Sequence, residues 1–342
     1  MMMLSTMQKV LRTIDREWRS PIAEQILTRW GYDKGSVYYF RSSANFIFVF
    51  KRSGKRYFLR FNDSSERELN VIESEINILK HLHSSSINVA QPVKSLNNNL
   101  IEVVNTEIGT FYSVVFEALE GKQFELEELE KEDYFVWGST LGKLHNAFKS
   151  LPKQLTNHRP SWKNHFAFID EQIQENEAAA IRVLKQIKSW TNDLHTSNEN
   201  YGLIHFDFEL DNQRWGNNNE ISVLDFDDSS IYWYVADIAF ALRDLFEQEV
   251  DLNHPLFLEF MRGYSNETSY DESNLQDLHM FLKLHNLVLF AKLLRSIDIE
   301  ESTDLLEEID LLKTKLVNKI NSIRASFEDW IEVYNEHEKR RN

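Results

Sequence analysis

The chain contains no cysteine, which excludes a disulfide scaffold, a thiolate zinc site, an iron–sulfur cluster and a cysteine nucleophile. Glycine and proline are scarce, at 10 and 5 among 342 residues, so collagen-like and linker-rich designs are poorly supported. Neither G-x-G-x-x-G nor G-x-x-x-x-G-K-[ST] occurs. Long apolar runs are missing as well. Phe46 to Phe50 is strand-sized, and Leu287 to Leu294 is flanked or interrupted by Lys283, His285 and Lys292, the pattern of a core helix rather than a membrane span. The start, Met1 to Gln8, lacks the apolar run and cleavage site of a signal peptide, and a cytoplasmic protein is expected. Basic residues are outnumbered 54 to 38, a formal charge of −16, which argues against a general binder of nucleic acid or of anionic membranes.

What is present suits a sizeable core: hydrophobic residues make up 42%, and the length calls for at least two sub-domains. Asp15 to Trp30 is expected to be helical, with Trp18, Ile22, Ile26 and Leu27 as its apolar positions. The period then changes to two. Ser36 to Arg41, Asn45 to Lys51 and Arg56 to Phe61 are predicted strands, the last two joined by a turn at Ser53-Gly54-Lys55. A helix is predicted over Glu66 to Leu82, and further strands near Leu100 to Asn105 and Phe111 to Phe116. After Leu119 the pattern is mainly helical, including Asp133 to Ala147, a long helical region from Phe166 to Leu194, and helices from Asp237 onward. The charge divides along the same line. Residues 1–117 carry 15 basic and 12 acidic side chains, leaving 23 and 42 of the totals for the remainder, nets of +3 and −19.

One stretch concentrates the chemistry: His205-Phe206-Asp207-Phe208-Glu209-Leu210-Asp211-Asn212, followed by Leu224-Asp225-Phe226-Asp227. Gln213 to Trp215 and Ile221 to Leu224 are predicted to form a hairpin around Gly216-Asn217-Asn218-Asn219, which brings Asn212 and Asp225 together, with Asp207 on the entering loop. An amide and a carboxylate, both hard oxygen donors, suit magnesium better than a transition metal. A further carboxylate beside them can orient or deprotonate a hydroxyl. That is equipment for phosphoryl transfer. The same residues also suit turns and caps, and His205, Asp207 and Asp225 would equip a metal-dependent phosphohydrolase.

H-x-D-x-x-x-x-N followed by a hydrophobic-D-F resembles the catalytic loop and metal-binding segment of the kinase-like superfamily. With Ala236-Asp237-Ile238-Ala239 after it, the pattern is similar to the small-molecule branch: the aminoglycoside phosphotransferases, choline kinases and type II homoserine kinases. The resemblance implies that Asp207 is the catalytic base or substrate-orienting carboxylate and that Asn212 and Asp225 hold magnesium. His205 would brace the loop, Asp237 would anchor it from behind, and Asp227 would support the metal site. It also implies that a basic residue on the third strand meets the nucleotide phosphates and pairs with a helix glutamate; here those are Arg60 and Glu75. Ser43-Ala44-Asn45 resembles the segment over the phosphates, and Phe116 to Gly121 resembles the hinge, whose backbone at Phe116 and Ala118 would hold adenine. Gly138 to Phe148 resembles the helix before the catalytic loop. The likeness covers about residues 30 to 300. Two positions depart from the pattern: Arg60 replaces lysine, and Phe206 replaces glycine, which is expected to narrow the loop.

The expectation is therefore an α+β, bilobal protein-kinase-like fold. Residues 1–117 would form a small antiparallel-sheet nucleotide-binding lobe, and residues 118–342 a larger, mainly helical catalytic and substrate-binding lobe. ATP and Mg2+ would be the cofactors, and a small-molecule hydroxyl the acceptor. The acidity of the second lobe points to a cationic, amine-bearing acceptor such as an aminoglycoside, choline or homoserine. The alternative is a pseudokinase acting as a nucleotide-binding module. His145, His279 and His285 are expected to be packing or surface residues. Asp227, Asp228 and Asp244 are candidates for a solvated acidic patch. The helix from Leu305 to Val333, with Leu311, Leu312, Leu316 and Ile320, packs against the lobe or forms a homodimer seam.

Overall fold

Three aromatic-rich strands, β1 (Tyr38–Ser42), β2 (Phe46–Arg52) and β3 (Lys55–Asp63), open an antiparallel sheet in the computed structural model, which describes residues 1–217, 220–246, 249–299 and 305–341. β2 and β3 are joined by a two-residue turn in which Ser53 and Gly54 both take positive φ, 52° and 77°, the geometry that matches the twist of a hairpin. Asp33 fixes that turn by accepting from both backbone N–H groups at 2.9 Å. The sheet is completed by β4 (Pro92–Val93), β5 (Glu102–Thr106) and β6 (Gly109–Glu117), in the order β1-β2-β3-β6-β4, with β5 also on β6. Alternation decides its faces: Phe46, Phe48 and Phe50 of β2 are buried in the core, while Ile47 and Val49 between them are not.

Helices α1 (Leu4–Leu11) and α2 (Pro21–Leu27) precede the sheet, and α3 (Leu69–Ser84) follows β3. The predicted helix at 15–30 is thus cut to its second half. Pro21 holds the preceding residue extended, and Ser20 caps the helix through its Oγ, so no helix enters from Asp15. β4 escaped the sequence reading because it has only two residues.

The remainder is mainly helical: α4 (Lys131–Lys149), α5 (Trp162–Gln172), α6 (Ala178–Asp193), α7 (Tyr234–Ala241), α8 (Pro255–Glu267), α9 (Leu278–Ser296) and α10 (Glu307–Arg341). The expected helical region 166–194 is two helices, since the chain is non-helical between Gln172 and Ala178. Two small antiparallel ribbons lie among them: β7 (Tyr201–Ile204) with β10 (Ser230–Trp233), and β8 (Gln213–Trp215) with β9 (Ile221–Val223). On α10, Leu316 and Ile320 are buried, and the helix packs on α1, α6 and α9 of the same chain, so these positions are covered without a second copy. No described helix is long and apolar enough to cross a membrane.

α4 and α8 cross backbone to backbone. A Cβ on Gly263 would stand 2.0 Å from the Phe135 carbonyl oxygen, and one on Gly138 1.9 Å from that of Phe260. Gly263→Ala is therefore expected to destabilise the fold by about 1–3 kcal/mol through forced separation of the two helices. Urea denaturation measures this, and an unchanged midpoint would refute the tight crossing.

Candidate active site

β7 and β8 hold the catalytic-loop candidate between them. The Leu224 N–H donates to the Asn212 carbonyl at 2.8 Å, so the residue before Asp225 is locked to Asn212 across the β8–β9 ribbon. Of the predicted turn, Gly216 donates to Glu220 at 2.8 Å, and Asn218 and Asn219 lie outside the described residues. The Asn212 side-chain amide donates to the Asp207 carbonyl at 2.9 Å and to its Oδ2 at 3.0 Å. Committing that NH2 to the loop leaves Asn212 Oδ1 as the group for a cation. The other Asp207 oxygen, Oδ1, accepts from Arg243 Nη1 at 3.1 Å, and Arg243 also pairs with Glu209.

The loop is held from behind by a buried polar chain. Asp237, fully buried on α7, accepts the backbone N–H groups of His205 and Phe206, each at 2.8 Å. It also bonds His145 Nε2 at 3.0 Å, whose Nδ1 meets the Tyr264 hydroxyl at 2.8 Å. His205 is buried. Its Nε2 donates to the Leu224 carbonyl at 2.9 Å and its Nδ1 accepts from the Asp207 N–H at 3.3 Å, so one imidazole ties the Asp207 loop to the Asp225 segment. Burial holds His205 and His145 below the ordinary histidine range, against the opposing pull of the Asp237 carboxylate.

Two non-glycine residues here occupy left-handed backbone, Phe206 (φ 74°) and Asp225 (φ 58°), a strained conformation that clusters at working sites. Phe206 lines the second cavity beside Asp207, and 3% of it is exposed. Its ring turns into the core against His165, Tyr232 and Phe240.

Arg60 on β3 forms a bidentate pair with Glu75 on α3, at 2.8 and 2.6 Å, and both are almost completely enclosed (6% and 1% exposed). Burial opposes the Arg60 charge, but the Glu75 carboxylate outweighs it and raises the guanidinium above its usual range. Glu73, the other candidate on this helix, is exposed. Asp225 stands 3.9 Å from Arg60. Burial, then the charge of Asp227, pushes Asp225 up to about 7. Asp227 also meets burial, yet Arg67 and Arg60 overcome it and hold that carboxyl below the usual range.

These groups border two cavities. One, of about 340 Å³, runs from the hinge candidates Phe116 and Ala118 past Arg60 and Glu75 to Asp225. The other, of about 320 Å³, is lined by Asp207, Glu209, Asp227 and Asp228, by the cations Arg243 and Lys292, and by Asp225 again. Asp225 is the wall they share. Asn45 lines neither: it is buried, bonded to Asn62, and 3.4 Å from Asp227. Asp228 is no solvated charge, since Lys292 holds it at 2.6 Å, whereas Asp244 is exposed. A larger cavity, of about 430 Å³, lies beside Trp233, Tyr234 and Tyr270 and contains none of these site residues.

Besides Arg41 and Arg67, four residues of this region escaped the sequence reading of the site. Lys292 is a cation in the otherwise apolar stretch of α9 from Leu287 to Leu294, a signal that was available, and Arg243 follows the apolar end of α7. His285 also lines the second cavity, and burial followed by the Arg243 charge pushes it down to about 3. Arg159 had no signal at all. It is buried and donates to the carbonyls of Phe226, Asp227 and Ser229, which fixes the segment carrying Asp225.

The donor set fits a hard divalent cation. Asp225 Oδ1 and Asp227 Oδ1 are buried without a hydrogen-bond partner. No cluster of three or more carboxylates or histidines among the described residues makes a closed cage, as expected where magnesium takes its remaining ligands from phosphate and water.

Residues 41–275 match the model of a family described as the phosphotransferase enzyme family, APH. Over 294 residues the chain is 26% identical to amicoumacin kinase of Bacillus subtilis (strain 168), covering 81% of this chain and 86% of that protein. Among solved structures it is similar to an amicoumacin kinase in complex with AMP-PNP, Ca2+ and Ami (TM-score 0.75, 19% identity, 90% and 92% of the two chains). It is also similar to a microcompartment-associated aminopropanol kinase (TM-score 0.68, 20% identity, 91% and 97% covered).

Proposed function

Because this chain belongs to the phosphotransferase enzyme family, we propose that it is a magnesium-dependent kinase that transfers the γ-phosphate of ATP to a hydroxyl group of an amine-bearing small molecule. The carrying observation is the shared wall: Asp225 lines a cavity together with Phe116, Ala118 and Arg60, and a second cavity together with Asp207. A nucleotide in the first would present its terminal phosphate to an acceptor in the second.

In this reading residues 1–117 form the nucleotide-binding lobe and residues 118–342 the catalytic and substrate-binding lobe. Phe116 and Ala118 hold adenine through the backbone. Arg60, aimed by Glu75, meets the phosphates. Asn212 and Asp225 hold Mg2+, with Asp227 beside them, and the bound cation supplies charge neutralisation on the transferring phosphate. Asp207 accepts the hydrogen bond of the acceptor hydroxyl and orients its oxygen, then takes the proton as the oxygen–phosphorus bond forms. His205 and Asp237 keep that carboxylate in place. Asn45, in the segment over the phosphates, also supports the site through its hydrogen bond to Asp227.

The amine preference rests on the carboxylates lining the second cavity, which outnumber its lysine and arginine. It also rests on the activity named for one structural neighbour, since aminopropanol is an amino alcohol. The test is ADP release over a panel of aminoglycosides, amino alcohols, amicoumacin and neutral polyols, with Mg2+. Release stimulated by amine-bearing acceptors is expected. Equal rates with neutral polyols would remove the amine preference. Nucleotide binding with no acceptor-dependent release would instead favour a nucleotide-binding module.

A further inference from the structure

We propose that Arg41, at the end of β1, is a second phosphate-binding residue that faces Arg60 across the nucleotide's polyphosphate; the inference rests on the nucleotide reading of the first cavity. The pairing of β1 with β2 steps from Tyr39 opposite Phe48 to Arg41 opposite Ile47, so β1 carries one extra residue there. Such a bulge re-aims the side chain that follows it. Without it Arg41 would pair with Phe46 and point with that buried ring into the core. With it, Arg41 falls in register with Ile47, and Ile47 with Arg60. Directly opposed residues share a face, so the two arginines project from one side of the sheet, two strands apart, and both line the cavity.

They converge on one carboxylate. Arg41 Nη2 is 3.8 Å from Asp225 Oδ2, and Arg60 Nη1 is 3.9 Å from Asp225 Oδ1. Neither distance is a hydrogen bond. Arg60 has its fork filled by Glu75. Among the described residues Arg41 has no comparable partner: its ion pair is the long one to Asp225, and its side chain is 48% exposed. A planar fork with uncommitted donors at the carboxylate end of the cavity suits the oxygens of a di- or triphosphate. A magnesium nucleotide keeps a net negative charge there. Arg60 is committed to Glu75, and no glycine-rich loop supplies backbone donors, so a second cation is needed to meet that charge; of the arginines lining the cavity, which include Arg56 and Arg214, only Arg41 and Arg60 come within 4 Å of Asp225.

The experiment is calorimetric titration of Arg41→Ala and Arg41→Lys with adenosine, ADP and ATP in the presence of Mg2+. Kinetics in which ATP and the acceptor are varied separately accompany it. Arg41→Ala is expected to weaken ADP and ATP by about tenfold or more, leave adenosine unchanged, and raise KM for ATP without raising KM for the acceptor. Arg41→Lys should recover part of the loss. An unaltered melting temperature checks the fold, which half-exposure of the side chain favours. Equal losses for adenosine and ATP would place Arg41 on the base and overturn the proposal, as would unchanged ATP affinity. If the unmodified protein bound no adenine nucleotide, the nucleotide reading itself would fail, and this inference with it.

Discussion

Asp207→Asn is expected to lower kcat for phosphoryl transfer by about 10²- to 10⁴-fold, the usual contribution of a positioned acid–base group, while ATP binding persists. The carboxylate makes two contacts in the structure. Oδ2 accepts from Asn212, which an asparagine carbonyl can also do. Oδ1 accepts from Arg243, which an asparagine NH2 cannot do. The substitution therefore preserves shape and the loop but removes the charge and the proton acceptor. A small loss of stability from the unsatisfied Arg243 contact is part of the expectation, so a melting curve accompanies the kinetics. Steady-state rates with ATP and acceptor varied separately locate the defect in kcat. Turnover at the unmodified rate would mean that this carboxylate neither orients nor deprotonates the acceptor, and the assignment would be lost.

The second large effect concerns stability. Glu75→Ala should cost about 3–5 kcal/mol, because it leaves the Arg60 guanidinium buried without its counter-charge. The double variant Arg60→Met with Glu75→Leu should recover most of that loss, since a well-packed apolar pair can replace a buried ion pair. Denaturant titration distinguishes the two. Neither variant should bind ATP with the original affinity, because both remove or misplace the cation at the phosphate end of the cavity. A single variant as stable as the parent would show that Arg60 finds solvent or another partner, and the pair would lose its structural importance.

Legibility followed chain distance. Asn212 and Asp225 flank one hairpin, so short-range pattern brought them together, while Arg60 and Glu75, on one strand and the helix after it, were found through the family resemblance and are paired in the structure. The assignment of Asn45 rests on the likeness of Ser43-Ala44-Asn45 to the family's segment over the phosphates, and nothing in the sequence signals its contacts with Asn62 and Asp227, the second of them 182 residues away. Asp228 follows the Asp225–Asp227 motif and His285 lies in an apolar helix, but neither position shows its partner in the sequence nearby. Their partners come from α9 and from the segment after α7.

By itself the sequence determined the division into a strand-rich first part and a mainly helical second part, the shared motif of the family, and the identity of the carboxylates and amide in the loop. These rest on residue type, period and spacing, which act over a few turns of chain. Only the tertiary structure decided that Arg243 grips Asp207, that Arg159 pins the carbonyls around Asp227, that Phe206 is accommodated in the core, and that Arg41 is turned by a bulge toward Asp225. Each of those depends on which faces of remote elements meet. That choice is made by packing and desolvation over the whole chain, where a long-range contact leaves no periodic trace in the residues that form it.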